Sequence, residues 1–240
     1  MKIDIKYQPS YSLAVVSLDA GETIQCESGA MVSMSDGISI KTEMKGGVLG
    51  ALKRSVLGGE SLFFNLFSAD RNGAEITLAP SLPGDIMTTQ VDGTLYLQSG
   101  SFLAADPGLD IDTKWGGAKT FFGSEGLFLL KAVGKGPVIA SSYGAIHKVS
   151  LSGSAPYTCD TGHVVAFTEG LDFDVKRIGG LKSTILSGEG LVCEFRGRGD
   201  LYIQTRSTQA FLSWLIPRLP TEGRGGGRGG GHLLGSLLRG

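Results

Sequence analysis

Cysteine and histidine are scarce in this sequence, with three residues of each among 240. The cysteines are odd in number and show no CxxC spacing, which excludes a disulfide framework and a structural zinc site and favours a reducing compartment. The histidines are scattered, without HxH or HExxH spacing. We therefore expect no bound metal and no cofactor.

Charge is also sparse and nearly balanced, since 22 Lys and Arg face 23 Asp and Glu and the formal net charge is −1. No global field attracts a polyanion or a membrane surface, so binding of that kind needs a local patch. The apolar runs are far too short to span a bilayer. Residues 1–6 carry charge where a signal peptide needs an apolar run. We expect a cytoplasmic protein with no integral membrane segment.

Catalytic motifs are missing as well. The sequence contains no GxSxG elbow for a nucleophilic serine. Two glycine-rich stretches, residues 116–120 and 180–183, resemble the end of a P-loop but lack the glycine directly before the lysine. We interpret them as turns that enter strands, and we predict that the protein is not an enzyme.

Glycine, by contrast, is abundant: 38 residues, roughly twice the usual share. Low charge with high glycine favours many short strands joined by tight turns over a helical bundle. Apolar residues alternate with polar ones in residues 23–26 and 75–78, as in half-buried strands. Tight turns are predicted at Asp36-Gly37, Asn72-Gly73 and Asp92-Gly93.

Three marks recur in the same order three times along the chain. The first begins at Ser28-Gly29, Ser99-Gly100 and Thr161-Gly162. The second is a glycine pair that precedes a basic residue, at Gly46-Gly47, Gly116-Gly117 and Gly179-Gly180. The third is a glutamate beside glycine or serine, at Glu60, Glu125 and Glu189. This order indicates that one β unit was triplicated.

The predicted fold is all-β, with three tandem pseudo-symmetric modules of β-sandwich or barrel-like form and one short C-terminal helix. The modules span residues 1–80, 81–143 and 144–206. The helix spans 207–219, with Ser207 or Thr208 as its N-cap and Pro217 as its stop. A flexible tail rich in glycine and arginine occupies residues 221–240.

The repeat lets each chemical candidate be compared with its counterparts. Cys26, Cys159 and Cys193 align with positions that otherwise hold apolar residues, so we interpret them as core side chains. Glu60, Glu125 and Glu189 form the acidic position shared by all three copies. They are either a site for a small polar ligand or structural acceptors of turn N–H groups.

Basic residues recur just before these glutamates, at Lys53, Arg54, Lys119 and Lys182. They are either contacts for phosphate groups or solvated strand ends. The Arg-Gly-Gly tail could add weak contacts to nucleic acid.

Several runs resemble a known family, the altered-inheritance-of-mitochondria family, type 24, also called domain of unknown function 124. The resemblance covers about residues 1–220 and excludes the glycine-rich tail. It rests on residues 54–63, 83–86, 126–129 with 134–136, 187–191 and 214–217.

The resemblance implies an all-β fold of three tandem modules similar to the tryptophan RNA-binding attenuation protein, and a compact trimeric assembly for bacterial members. Eukaryotic members are mitochondrial and linked to inner-membrane organisation. No catalytic residue is established for bacterial members, so none is carried over. A likeness of fold transfers neither RNA binding nor tryptophan binding.

Together these patterns predict a non-enzymatic β scaffold that self-associates, with a trimer favoured, and that binds a protein partner of unknown identity. The mean hydropathy of +0.11 favours self-association. A chain with so few charged residues exposes apolar surface, which a second copy can cover. The alternatives are RNA or other nucleic-acid binding through the repeated basic residues, and binding of a small polar ligand around the repeated glutamates.

If the nucleic-acid alternative holds, the affinity for RNA falls steeply as salt rises, because bound phosphates release counterions. Joint charge reversal of Lys53, Arg54, Lys119 and Lys182 then abolishes binding. An RNA mobility-shift titration at low and high salt measures both effects, and no shift at low salt removes this alternative.

Overall fold

A computed structural model describes residues 1–43, 64–112, 129–177 and 191–219, and these residues form sixteen strands and one α-helix. The strands are β1 Lys2–Lys6, β2 Leu13–Leu18, β3 Thr23–Glu27, β4 Met31–Met34, β5 Ile38–Glu43, β6 Phe64–Ala69, β7 Ala74–Leu78, β8 Ile86–Gln98, β9 Phe102–Ala105, β10 Asp110–Asp112, β11 Leu129–Ser141, β12 Ile146–Ser152, β13 Tyr157–Asp160, β14 Val164–Thr168, β15 Leu171–Arg177 and β16 Leu191–Gln204. The helix α1 spans Thr208–Leu215. The predicted all-β class with a short C-terminal helix is confirmed.

The described strands form two sheets. The smaller has the order β1-β2-β7-β4. The larger follows the path β12-β16-β14-β8-β11-β9-β3-β6-β5, with β10 on β11 and with β13 and β15 on β16. Within the described part of the chain, neither path returns to its first strand, so the sheets do not close into a barrel.

Three strands, β8, β11 and β16, are far longer than the short strands that the sequence predicted. Glycines within them let each strand bend instead of reversing. β8 and β11 pair antiparallel over 13 residues, with Gly93 directly opposite Gly134. Both glycines have positive φ, +121° and +130°, which a residue without Cβ adopts easily. The predicted tight turn at Asp92-Gly93 is therefore wrong, since the strand passes through these residues. The turns at Asp36-Gly37 and Asn72-Gly73 are confirmed.

The hydrophobic core is shared between successive parts of the chain. One cluster packs Ile24 and Phe67 against Leu103 and Ile139, and a second packs Phe64 against Phe102. The rings of Phe64 and Phe102 meet edge to face, with centroids 5.3 Å apart. A third cluster surrounds Phe167 and Phe195. Since residues far apart in sequence complete each cluster, neighbouring parts of the chain stabilise one another.

The segments before β2, β8 and β12 meet at one point. The N–H of Ser12 donates to the carbonyl of Gly84 over 3.0 Å, and the N–H of Asp85 donates to the carbonyl of Gly144 over 2.9 Å. Gly84 and Gly144 form a parallel bridge. A Cβ built on Gly84 would lie 1.6 Å from the carbonyl oxygen of Ser142, so only glycine fits there.

The C-terminal helix begins as predicted, with the Ser207 hydroxyl accepting from the N–H of Ala210 over 3.3 Å. It ends at Leu215, and Pro217 lies in the 3₁₀ turn Ile216–Arg218 that follows. No residue of this helix is buried. Phe211 contacts Tyr143 edge to face, with centroids 6.0 Å apart, while Trp214 is 55% exposed.

We predict that Gly84→Ala lowers the free energy of unfolding by about 3 kcal/mol or more, because the added methyl group must displace backbone. Gly21→Ala is the matched control. Gly21, unlike Gly84, has positive φ, and a Cβ there meets nothing within 4 Å, so the expected loss of about 1 kcal/mol is that of the backbone conformation alone. Denaturant unfolding measures both, and equal losses contradict the close-approach argument.

Candidate functional site

The candidate residues from the repeat lie outside the described residues. They are Lys53, Arg54, Glu60, Lys119, Glu125, Lys182 and Glu189. In sequence, each repeat's candidate residues fall between two strands that pair antiparallel. These pairs are β5 and β6, β10 and β11, and β15 and β16. Whether the glutamates or the basic residues bind a ligand stays a prediction.

Charged side chains cross the β15–β16 ladder close to one of these places. Nζ of Lys176 lies 2.8 Å from a carboxylate oxygen of Glu194, and Arg196 contacts both Glu194 and Asp174. The hydrogen bond from Lys176 holds the pKa of Glu194 below its ordinary value. Lys176, Arg196 and Asp174 are exposed and Glu194 is partly exposed, so the pairs contribute little to stability. Their charges are directed at one another along the ladder.

A buried carboxylate lies where the chain segments meet. Oδ1 of Asp85 accepts from Nε2 of Gln8 and from the Ser12 hydroxyl, each over 3.1 Å, and from the N–H of Ile86 over 2.9 Å. Asp85 is only 8% exposed. Three donors on one oxygen satisfy a buried acceptor and fix the N-terminal segment against β8. We therefore interpret this cluster as structural.

All three thiols are buried, as the sequence predicted, and they are not joined in disulfides. Burial raises the pKa of Cys26 well above its ordinary value and raises the pKa of Cys159 to about 12. A thiol kept protonated is a poor nucleophile and a poor metal ligand. Cys159 lies directly opposite Cys193 across β13 and β16, a pairing that the scattered sequence positions did not reveal.

Metal-ligating clusters and membrane-spanning helices are both absent from the described residues. Residues 1–43, 64–112, 129–177 and 191–219 contain no group of three or more His, Cys, Asp or Glu side chains placed to hold a metal ion. In the same ranges, no helix combines the length and the apolar character needed to cross a bilayer.

An exposed apolar edge is the feature that the sequence analysis missed. β4 is the last strand of the smaller sheet, and all four of its residues are exposed. Met31 is 39% exposed, Val32 58% and Met34 43%. Residues 31 and 32 belong to the first repeat mark, and their counterparts Phe102 and Leu103 are fully buried. An apolar strand that is exposed at a sheet edge makes β4 a candidate interaction surface.

The structure therefore defines an all-β protein with buried thiols, a buried structural carboxylate and an apolar edge strand. Residues 3–206 match the family model described as "Mitochondrial biogenesis AIM24". The chain belongs to the AIM24 family, which confirms the resemblance found in the sequence.

Two similar streptococcal proteins extend this result. An uncharacterised protein of Streptococcus pyogenes serotype M6 is 32% identical in an alignment of 231 positions that covers 92% of this chain and 92% of the relative. A crystal structure of a Streptococcus pyogenes protein is 30% identical, with a TM-score of 0.74, and covers 91% of this chain and 99% of its own. Both agree with the family and the fold.

We predict that a chromogenic disulfide reagent at pH 8 labels the three native thiols about a hundredfold more slowly than the same thiols in guanidinium, because burial disfavours the thiolate. Ser39→Cys, which adds a thiol on the exposed face of β5, should supply one fast equivalent. Fast labelling of three thiols in the native unsubstituted protein contradicts this description of the site.

Proposed function

We propose that this protein is a non-enzymatic β scaffold that self-associates and offers a surface to a protein partner. The observation that carries the proposal is the exposed apolar edge of β4, whose counterparts in sequence, Phe102 and Leu103 of β9, are fully buried. The buried thiols and the fully engaged Asp85 oxygen agree with a structural role for the described polar groups.

We also propose that the chain contains three copies of one β unit, with the module boundaries given by the sequence. In the second unit, β11 pairs with β8, β9 and β10. In the third, β16 pairs with β12 and β13, then with β14 and β15. In the first, β6 and β7 together pair with β3 and β2, then with β5 and β4. One pairing scheme thus recurs three times, which supports the triplication.

The proposed assembly is a homo-oligomer, and the family resemblance favours a trimer. We propose a cytoplasmic location, since three cysteines that form no disulfide suit a reducing compartment.

We predict that sedimentation equilibrium at micromolar concentration gives a mass that is a multiple of the 25.1 kDa chain, with three chains favoured. Burial of the apolar β4 edge supplies the driving force. A single species of 25.1 kDa contradicts self-association.

A further inference from the structure

Two short strands join successive units by lying between two longer strands. β9 pairs with β11 of its own unit and with β3 of the preceding unit, where Ala104 faces Cys26. β14 pairs with β16 of its own unit and with β8 of the preceding unit, where Ala166 faces Leu97. β9 is buried at all four residues, and in β14 only Thr168 is partly exposed.

β4 is built like these two strands but lacks the second partner in the described structure. Each of the three ladders skips one residue of the short strand: Val32 in β4, Leu103 in β9 and Val165 in β14. Leu103 and Val165 are 0% exposed, whereas Val32 is 58% exposed. Since the bulge is the same, the missing neighbouring strand explains the difference in exposure.

The complementary edge lies at the other end of the chain. β3 and β8 each receive a short strand from the following unit, and the corresponding strand of the third unit is β13. The described ladder partner of β13 is β16 alone. Thr158 is exposed on β13, and Cys159 retains 8% exposure where its counterparts Cys26 and Leu97 have none.

We propose that β4 of one copy pairs antiparallel with β13 of a second copy, repeating between chains the junction that β9 and β14 make within the chain. This inference rests on the proposed self-association and names its surface. Transfer of the observed registers places Ser33 opposite Cys159 and Met34 opposite Thr158.

A second copy is the favoured occupant because each chain presents both edges at once. The described β4 and β13 belong to different sheet paths and share no ladder. Two different surfaces that fit each other form a head-to-tail contact, which closes into a ring when the rotation permits. Such closure leaves no exposed β4 edge in the assembly.

Cysteine cross-linking tests the register and the occupant together. Full-length Met34→Cys and Thr158→Cys proteins are mixed, refolded together and treated with a short bismaleimide. We expect a two-chain product on denaturing gels. Ile40→Cys mixed with Thr158→Cys is the matched control, since Ile40 is 45% exposed on β5 and should give at least tenfold less product.

Cross-linking of the double variant Met34→Cys/Thr158→Cys separates the possible occupants. Linked chains support the proposal. A product confined to single chains overturns it, because β13 of the same chain then covers β4. No β4–β13 product from a protein that sediments as an oligomer overturns this inference alone, while a monomer overturns the proposed function as well.

Charge on the β4 edge gives an independent readout. Val32→Lys should raise the dissociation constant of the oligomer about tenfold or more, since the ammonium group must be desolvated at the contact. Ile40→Lys, an equivalent change on an exposed aliphatic side chain, should leave the constant unchanged. Circular dichroism checks that both variants fold, and an unchanged constant for folded Val32→Lys contradicts the proposal.

Discussion

The structure depends on one constraint: the exposed edge of a β-strand must be paired or covered. Strand β9 meets it by lying between β11 and β3, and β14 meets it by lying between β16 and β8. The backbone of the short strand then has partners on both sides, and its side chains enter the core. These ladders join strands that are far apart in sequence, and the constraint is left unmet at β4, the last strand of the smaller sheet.

Much of the fold could be predicted from the sequence. The two-residue alternation, the turns at Asp36-Gly37 and Asn72-Gly73, the Ser207 cap and the buried cysteines are local signals that the tertiary structure preserves. The Asp92-Gly93 pair was misleading because positive φ serves a bend in a paired strand as well as a reversal. Only the opposing strand, with Gly134 in register, decides between the two.

The candidate site was less predictable. The repeated glutamates and basic residues lie outside the described residues, so their role stays a prediction. The β4 edge escaped notice because Val32 resembles the buried Leu103 and Val165 in sequence, and exposure depends on which strand lies beside it. Alignment of the recurring sequence marks locates similar positions, but it does not show which strand lacks a neighbour.

Amide hydrogen exchange of β4 tests the central claim most directly, because it reports whether the second edge of this strand is hydrogen-bonded. The account predicts that β4 amides not bonded to β7 are protected at high protein concentration, as those of β9 are, and lose protection on dilution while β9 keeps it. Rapid exchange of these amides at every concentration would contradict the account, and so would protection that dilution leaves unchanged.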